Sequence, residues 1–216
     1  MKIVVVGGHS RDIGKTSVTV GLIRGLKDLN WTAVKITQFG HDVGSHDEEP
    51  FLCASTEQPY VLSQELDDAG RGDSSRFLAA GAKRSFWLRV GQAQLHKAMP
   101  ALRDALGQDE YVIIESNSIL DFVVPAVYLM VLDRSRGDFK ESARQFLHRA
   151  NAFVQVESLG TPQNWAGIDA GGLGKKPIFA VSPKSYSSPE LCHFVRAALQ
   201  EHPSECSLPA RRDVHP

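Results

Sequence analysis

Cysteine is scarce in this sequence of 216 residues, and long apolar runs are missing. The three cysteines, Cys53, Cys192 and Cys206, form no Cys-x-x-Cys pair, and their odd number gives no disulfide framework. No stretch of 18 apolar residues occurs, so the sequence predicts no membrane-spanning helix. The opening segment MKIVVVGG holds an apolar run that is too short for a secretory signal. These absences together favour a reducing, cytoplasmic location away from membranes.

An excess of either charge is also absent. The 24 basic and 25 acidic residues leave a formal net charge of −1, so we expect no general attraction to nucleic acid. Hydrophobic residues make up 42% of the chain, which is normal for a globular protein and excludes a wholly disordered one. The length is sufficient for one α/β domain with a buried core.

Strand-like and helix-like patterns alternate along the chain. Residues 2–7 (KIVVVG) form a β-branched run typical of a strand buried on both faces, and residues 15–28 have the apolar spacing of a covering helix. A strand predicted over 31–37 completes a βαβ unit with a glycine-rich loop at its first turn. The other predicted elements are helices at 74–81, 92–106, 138–149 and 189–200 and strands at 85–90, 111–115, 127–132, 152–156 and 178–181.

This alternation predicts an α/β fold, a three-layer sandwich in which a mostly parallel sheet has helices on both faces. Residues 1–200 are expected to form a single domain, and residues 201–216 to form a disordered tail. Residues 38–59 lack periodicity and are predicted to be a functional or mobile loop. Ligands of such folds bind at the carboxyl ends of the strands, where the glycine-rich loop lies.

The strongest motif is the segment GHSRDIGKTS, which follows the first strand and opens the first helix. Main-chain N–H groups at such a turn point towards one place and bind phosphate, Gly14 lets the backbone approach it, and Lys15 reaches the terminal phosphates. The spacing departs from the consensus, because His9 stands where the first glycine is usual and Gly8 lies one residue earlier. The residues predicted to bind the nucleotide are Gly8, His9, Ser10, Arg11, Asp12, Ile13, Gly14, Lys15, Thr16 and Ser17.

A phosphate loop of this kind needs a hydroxyl and a carboxylate to hold Mg²⁺. Thr16 supplies the hydroxyl, and Glu115, which ends the buried strand YVIIE, is the preferred carboxylate. Asp133 is the second choice and is alternatively the cap of a turn. The sequence therefore predicts a P-loop NTPase with Mg²⁺ as cofactor, with Lys15 and Glu115 as catalytic residues and Thr16 and Glu115 as metal ligands.

Three further segments leave alternatives open. Residues 41–53 gather two His-Asp pairs and Cys53, which suit a transition metal, although a polar loop beside the nucleotide is the preferred interpretation. The basic side chains within 71–84 either bind a phosphorylated ligand or form a solvated helix face. Residues 179–185 lack the Asn/Thr-Lys-x-Asp pattern of many GTP-specific proteins, so GTP and ATP both remain candidates.

Four blocks of the sequence resemble molybdopterin-guanine dinucleotide biosynthesis protein B (MobB) and its relatives in the SIMIBI class of P-loop proteins. The blocks are VVVGGHSRDIGKTS, AVKITQFGHD, GRGDSSRFLAAGAKRSFW and YVIIESNS, which fall between residues 2 and 120. The resemblance implies GTP binding with slow hydrolysis, a homodimer, and a supporting role beside the enzyme that attaches a nucleotide to molybdopterin. Carried over by position, it implies that three residues line the site, namely Lys35, His41 and Asp42. It also implies a surface facing a second substrate or a dimer partner, formed by Asp73, Ser74 and Arg76.

A second resemblance is to dethiobiotin synthetase, which has a comparable loop spacing and a lysine at the end of its second strand. The chain departs from the first family at Glu115, which is followed by Ser-Asn-Ser in place of glycine. The second resemblance implies an ATP-dependent ligase or kinase, in which Lys35 and residues 116–118 contact a small substrate. A third interpretation is a non-enzymatic nucleotide-dependent switch, in which residues 38–59 become ordered around the γ-phosphate.

Overall fold

An eight-stranded sheet lies at the centre of the computed structural model, which describes residues 1–39, 59–107, 109–158, 160–165, 168, 173 and 175–201. Its strands are β1 (Lys2–Gly8), β2 (Thr32–Phe39), β3 (Tyr60–Glu65), β4 (Arg84–Gly91), β5 (Tyr111–Glu115), β6 (Val127–Leu132), β7 (Ala152–Val156) and β8 (Ile178–Val181). Their order in the sheet is β3-β4-β2-β5-β1-β6-β7-β8. β3 runs antiparallel to β4, whereas the other described pairs are parallel. The predicted α/β class with a mostly parallel sheet is confirmed.

Helices cover both faces of this sheet. They are α1 (Lys15–Gly25), α2 (Asp73–Ala79), α3 (Leu95–Leu106), α4 (Glu141–Phe146) and α5 (Pro189–Glu201). α1 and α4 are shorter than predicted, because 3₁₀ turns at Lys27–Leu29 and Leu147–Arg149 take up the ends of the predicted segments. None of the helices described is both long and apolar enough to cross a membrane.

Two apolar layers hold the helices against the sheet. Along β1 the side chains alternate, so that Ile3 and Val5 join one buried cluster and Val4 and Val6 join the other. The first cluster includes side chains of α3 and α4, and the second includes side chains of α1, α2 and α5. Each fully buried aliphatic side chain contributes about 1.5–3 kcal/mol. Because β1 is buried on both faces, the origin of the glycine-rich loop is held firmly.

The edge strand β3 was not predicted from the sequence. It spans Tyr60–Glu65 (YVLSQE), where no continuous apolar run or clear alternation marks a strand. Most of its residues are half-buried, as is usual where a strand has a neighbour on one side. Pairing with β4 holds it in place, and this long-range contact leaves no local signal.

Two predicted segments lie largely outside the described residues. The predicted loop 38–59 begins later than expected, since Gln38 and Phe39 extend β2, and residues 40–58 are not described. The predicted tail lies outside as well, apart from Glu201, which ends α5. The possible metal ligands His41, Asp42 and Cys53 therefore stay predictions.

Candidate phosphate-binding site

The glycine-rich loop runs from the end of β1 to the start of α1. Gly14, its last residue, has φ +90°, a left-handed conformation that side chains other than hydrogen rarely adopt. A Cβ atom at Gly14 would lie 2.6 Å from Cε1 of Tyr186 and 3.6 Å from Cγ2 of Val156. Both the backbone angle and the close ring therefore require glycine here.

The first turn of α1 is a candidate place for an anion. Gly14 is the N-cap residue, and no described side chain caps this helix end. The first N–H groups of a helix have no partners within the helix, and the helix dipole adds a partial positive charge there. Acidic residues are absent from this turn. The main-chain N–H groups of Lys15, Thr16 and Ser17 therefore offer a binding place for an anion.

Lys15 folds back over the loop. Its Nζ donates a hydrogen bond to the main-chain oxygen of Ser10 at 2.7 Å. Its aliphatic stem crosses Gly8, where a Cβ atom would come within 2.8 Å of Lys15 Cδ. The absence of a side chain at Gly8 thus leaves room for the Lys15 stem. Burial lowers the pKa of the Lys15 amine, although the nearby Glu115 carboxylate opposes this, so an additional anion would stabilise its charged form.

Four side chains from four different elements meet beside this turn. Thr16 Oγ1 donates to Glu115 Oε2 at 2.8 Å, and Lys35 Nζ donates to Glu115 Oε1 at 2.7 Å. Lys35 Nζ also lies 2.6 Å from Asp73 Oδ2 and 3.4 Å from Thr16 Oγ1. The Lys35 ammonium is therefore surrounded by oxygen atoms from α1, α2 and β5. We call Thr16, Lys35, Asp73 and Glu115 the oxygen cluster.

The electrostatics of the oxygen cluster follow from its burial. The side chain of Glu115 is only 2% exposed and that of Lys35 is 18% exposed. Burial alone would lower the pKa of Lys35, but the attraction of Glu115 and Asp73 outweighs it and raises that pKa. Burial likewise opposes ionisation of Asp73, yet the Lys35 charge and its hydrogen bonds keep the Asp73 pKa below its ordinary value. Lys35 is therefore the positive charge shared by the two carboxylates of the cluster.

Arg76 and Ser74, both on α2, have different roles. Arg76 NH2 donates to Ser17 Oγ at 3.0 Å, and its NH1 lies 3.5 Å from Asp73 Oδ1, so Arg76 reaches the start of α1. Ser74 is buried, and its hydroxyl donates to Glu65 Oε2 at 2.8 Å. Of the three residues predicted for a second surface, Asp73 and Arg76 thus lie beside the start of α1, whereas Ser74 anchors α2 to β3.

The side chain of His9 is turned away from the loop interior. The ring is buried; its Nδ1 donates to the Asp138 main-chain oxygen at 2.8 Å, and its Nε2 accepts the Asp133 N–H at 3.1 Å. Nε2 also lies 3.1 Å from the Asp133 main-chain oxygen. The neutral form with the proton on Nδ1 satisfies the bonds with the Asp138 oxygen and the Asp133 N–H. Ser10 Oγ donates to the Asp138 carboxylate. Because both side chains are engaged elsewhere, only the main-chain groups of His9 and Ser10 can make the predicted phosphate contacts.

The pKa of His9 gives a pH-dependent stability. Burial lowers that pKa, because it outweighs the hydrogen bonds with Asp138 and Asp133. The unfolded chain takes up the proton near pH 6.5 while the folded chain resists it, so stability is complete above that pH and falls below it. We expect a loss of at most about 1.4 kcal/mol per pH unit below pH 6.5, measured by urea denaturation between pH 7.5 and 5. His9→Asn should remove this part of the slope, and an identical slope in both proteins would contradict the assignment.

Asp133 belongs to a turn and does not reach the oxygen cluster. Its Oδ1 accepts the N–H of Ser135 at 2.8 Å and the Ser135 hydroxyl at 2.7 Å. It follows β6, which is separated from β5 by β1. The alternative interpretation of Asp133 as a turn cap agrees with this geometry. Within the described ranges, no group of three or more His, Cys, Asp or Glu side chains is arranged to hold a metal by itself.

Two residues at the site have roles that sequence reasoning did not predict. The Asn117 amide accepts the Gly8 N–H and donates to the Gly8 main-chain oxygen, both at 2.9 Å, so it fixes the start of the loop. From the sequence, Asn117 was named only within residues 116–118, as a contact to a small substrate and not as a support of the loop. Lys140 lies near Lys15 and Arg11. Burial, and then the positive charges of these two residues, lower the Lys140 pKa to about 8. Lys140 lies about 125 residues beyond Lys15 in the sequence, and no local pattern indicates that it belongs to the site.

Comparisons with known proteins give a likeness in fold only. No family model matches the chain, and no curated protein matches it in sequence. HypB from Helicobacter pylori, solved in complex with nickel, is 16% identical, with 92% of this chain and 87% of HypB covered and a TM-score of 0.47. LpxK from Aquifex aeolicus, solved in complex with ATP, is 14% identical, with 83% of this chain and 53% of LpxK covered and a TM-score of 0.46. At this level of similarity the two structures carry no argument about what this chain binds.

Proposed function

We propose that the chain binds a nucleoside triphosphate with Mg²⁺ at residues 8–17 and hydrolyses it slowly. One observation carries the proposal: the uncapped first turn of α1 stands directly beside the oxygen cluster. Main-chain N–H groups and the Lys15 ammonium would hold the phosphates, as in other strand–loop–helix phosphate sites. The glycine at position 14 and the glycine crossed by Lys15 are both explained by this role.

The oxygen cluster fits Mg²⁺ by its chemistry. Mg²⁺ prefers oxygen ligands, and the cluster offers the Thr16 hydroxyl and the Asp73 and Glu115 carboxylates, which already surround a cation, the Lys35 ammonium. These three residues would hold the ion, which would neutralise phosphate charge when bound. Asp73 thus joins the two metal ligands predicted from the sequence.

Slow hydrolysis follows from how the carboxylates are used. Phosphoryl transfer depends on positioning and on stabilising charge. Lys15, Lys35 and Arg76 supply positive charge at the site, whereas Glu115 and Asp73 are engaged by Lys35. We infer that the chain alone positions water poorly, and that a partner or a second substrate is needed for faster turnover.

The sequence resemblance supports a more specific role. The four shared blocks support GTP as the nucleotide, a homodimer, and a function in molybdenum-cofactor maturation beside the enzyme that attaches a nucleotide to molybdopterin. The second candidate is an ATP-dependent ligase or kinase. The position of Lys35 favours it, because this lysine ends within the oxygen cluster beside the terminal phosphate position.

Lys15→Ala tests the nucleotide proposal. Removing the ammonium should weaken binding of fluorescently labelled GTP or ATP by roughly 10- to 100-fold in the presence of Mg²⁺, because a charged hydrogen-bond donor to phosphate is lost. Equilibrium fluorescence titration measures the affinity, and Lys97→Ala, at an exposed lysine of α3, is the matched control. Unchanged affinity in Lys15→Ala would refute the loop assignment. Stronger binding of GTP than ATP supports the molybdenum-cofactor role, and turnover of ATP with an added metabolite supports the ligase or kinase.

A further inference from the structure

The sheet continues past the oxygen cluster as a polar, half-buried surface. In register, Glu115 of β5 pairs with Lys35 of β2, and Lys35 pairs with Trp87 of β4. Two residues further towards the carboxyl ends of these strands, Thr37 of β2 pairs with Arg89 of β4. We call Thr37, Trp87 and Arg89 the shelf. Its residues alternate with buried ones of the first core cluster, so they share the face of Lys35.

The side chains of the shelf are held in fixed positions. The Trp87 indole Nε1 donates to Thr37 Oγ1 at 3.0 Å. The Arg89 guanidinium carbon lies 4.6 Å from the centre of the Trp87 ring, so the two groups stack. Cation–π stacking of this kind fixes the plane of the guanidinium and its N–H groups. A half-buried arginine is thereby presented in one orientation from the interior of a sheet.

The shelf lies close to the proposed terminal phosphate. Adjacent strands are about 4.8 Å apart, so Trp87 lies roughly 10 Å from Glu115 across two strand spacings. Arg89 lies one strand over and two residues along from Lys35, which is roughly 8 Å between Cα atoms. A molecule of a few atoms spans this distance. α2 covers the amino half of the same face, where Phe77 packs in the second cluster with Ala33.

We propose that the shelf binds the carboxylate or phosphate group of a small second substrate, with Arg89 as the anion-binding residue. Guanidinium groups form paired hydrogen bonds with both kinds of anion, and stacking on Trp87 removes the flexibility that weakens such contacts. The inference deepens the proposed function, and its placement beside the terminal phosphate rests on that proposal. None of the shelf residues was assigned a role from the sequence.

The test uses the three tryptophans of the chain as reporters. Protein labelled with ¹⁵N and saturated with Mg²⁺ and a non-hydrolysable triphosphate is titrated with inorganic phosphate or with malonate, at constant ionic strength set by NaCl. We expect the Trp87 indole resonance to shift and saturate. The resonance is assigned with Trp87→Phe. Arg89→Gln should weaken the response by about tenfold or more, because the paired charged hydrogen bonds are lost.

Controls separate the shelf from the phosphate loop. Arg24→Gln, at an exposed arginine of α1, should respond like the unmodified protein, and Arg89→Lys should respond weakly because it keeps the charge without the fork. Arg89→Lys also serves if Arg89→Gln does not fold. A response to phosphate alone, to malonate alone or to both supports the inference and names the anion class. An unshifted Trp87 resonance, or a response in the Arg89 variants equal to that of the unmodified protein, would overturn it. If the protein does not bind the nucleotide, the proposed function fails. The same titration of the nucleotide-free protein then still decides whether Arg89 binds the anion.

Discussion

Replacement of Lys35 by methionine is expected to lower the free energy of unfolding by about 3–5 kcal/mol at neutral pH without Mg²⁺. Lys35 is the cation between Glu115, which is 2% exposed, and Asp73. Removal of the ammonium leaves the buried Glu115 carboxylate without its ion-pair partner, and within the cluster only the neutral Thr16 hydroxyl still donates to it. Methionine keeps a similar volume, so the effect reports charge rather than a cavity.

Urea denaturation with and without Mg²⁺ measures this effect. If the cluster accepts the ion, Mg²⁺ should stabilise Lys35→Met more than the unmodified protein, since it replaces the missing positive charge. Lys97→Met, at an exposed position on α3, should change stability by less than about 0.5 kcal/mol. A loss below about 1 kcal/mol for Lys35→Met would show that the pair is compensated in another way.

Substitution of Gly14 by alanine is expected to cost about 2–5 kcal/mol of stability and to abolish tight triphosphate binding. The backbone angle of φ +90° is strained for alanine, and the new methyl group would meet the ring of Tyr186 at 2.6 Å. Either the ring or the loop must move, and a displaced loop no longer directs its N–H groups to one place. We expect the affinity for labelled nucleotide to fall at least about tenfold.

Gly107→Ala separates strain from collision. Gly107 also has a positive φ, +52°, but a Cβ atom there would find its nearest neighbour, the Asp104 main-chain oxygen, at 3.7 Å. The control should lose about 1 kcal/mol through the backbone alone and should keep nucleotide binding. Equal losses for Gly14→Ala and Gly107→Ala, with binding intact in both, would contradict the account of the loop.

Local signals in the sequence predicted the centre of the fold. The run before Gly8 gave β1, the spacing after Gly14 gave α1, and the segment YVIIE placed Glu115 at the end of a buried strand; each of these elements is present. Such elements are readable because their apolar pattern repeats over neighbouring residues. The contact between Thr16 and Glu115 follows directly, since both lie at the carboxyl edge of adjacent parallel strands.

Residues positioned by long-range packing were harder to predict. Asp73 reaches the oxygen cluster only because α2 sits across β2, which no local pattern states. The buried ring of His9 is fixed by a segment more than 120 residues away in the sequence. The sequence therefore predicted that His9 belongs to the loop but could not predict where its side chain points. β3 was missed because its pattern is that of a half-exposed edge, and its pairing partner β4 lies beyond α2 in the sequence.

The hydrogen bonds that hold His9 in place have a thermodynamic consequence. Both ring nitrogens are engaged, the main-chain oxygen of His9 accepts the Lys140 N–H at 2.8 Å, and Asn117 holds the residue before it. The front half of the loop is thereby set before any anion arrives. The loop therefore loses little conformational entropy when an anion binds. A larger part of the attraction between the main-chain amides and the anion then contributes to the binding affinity.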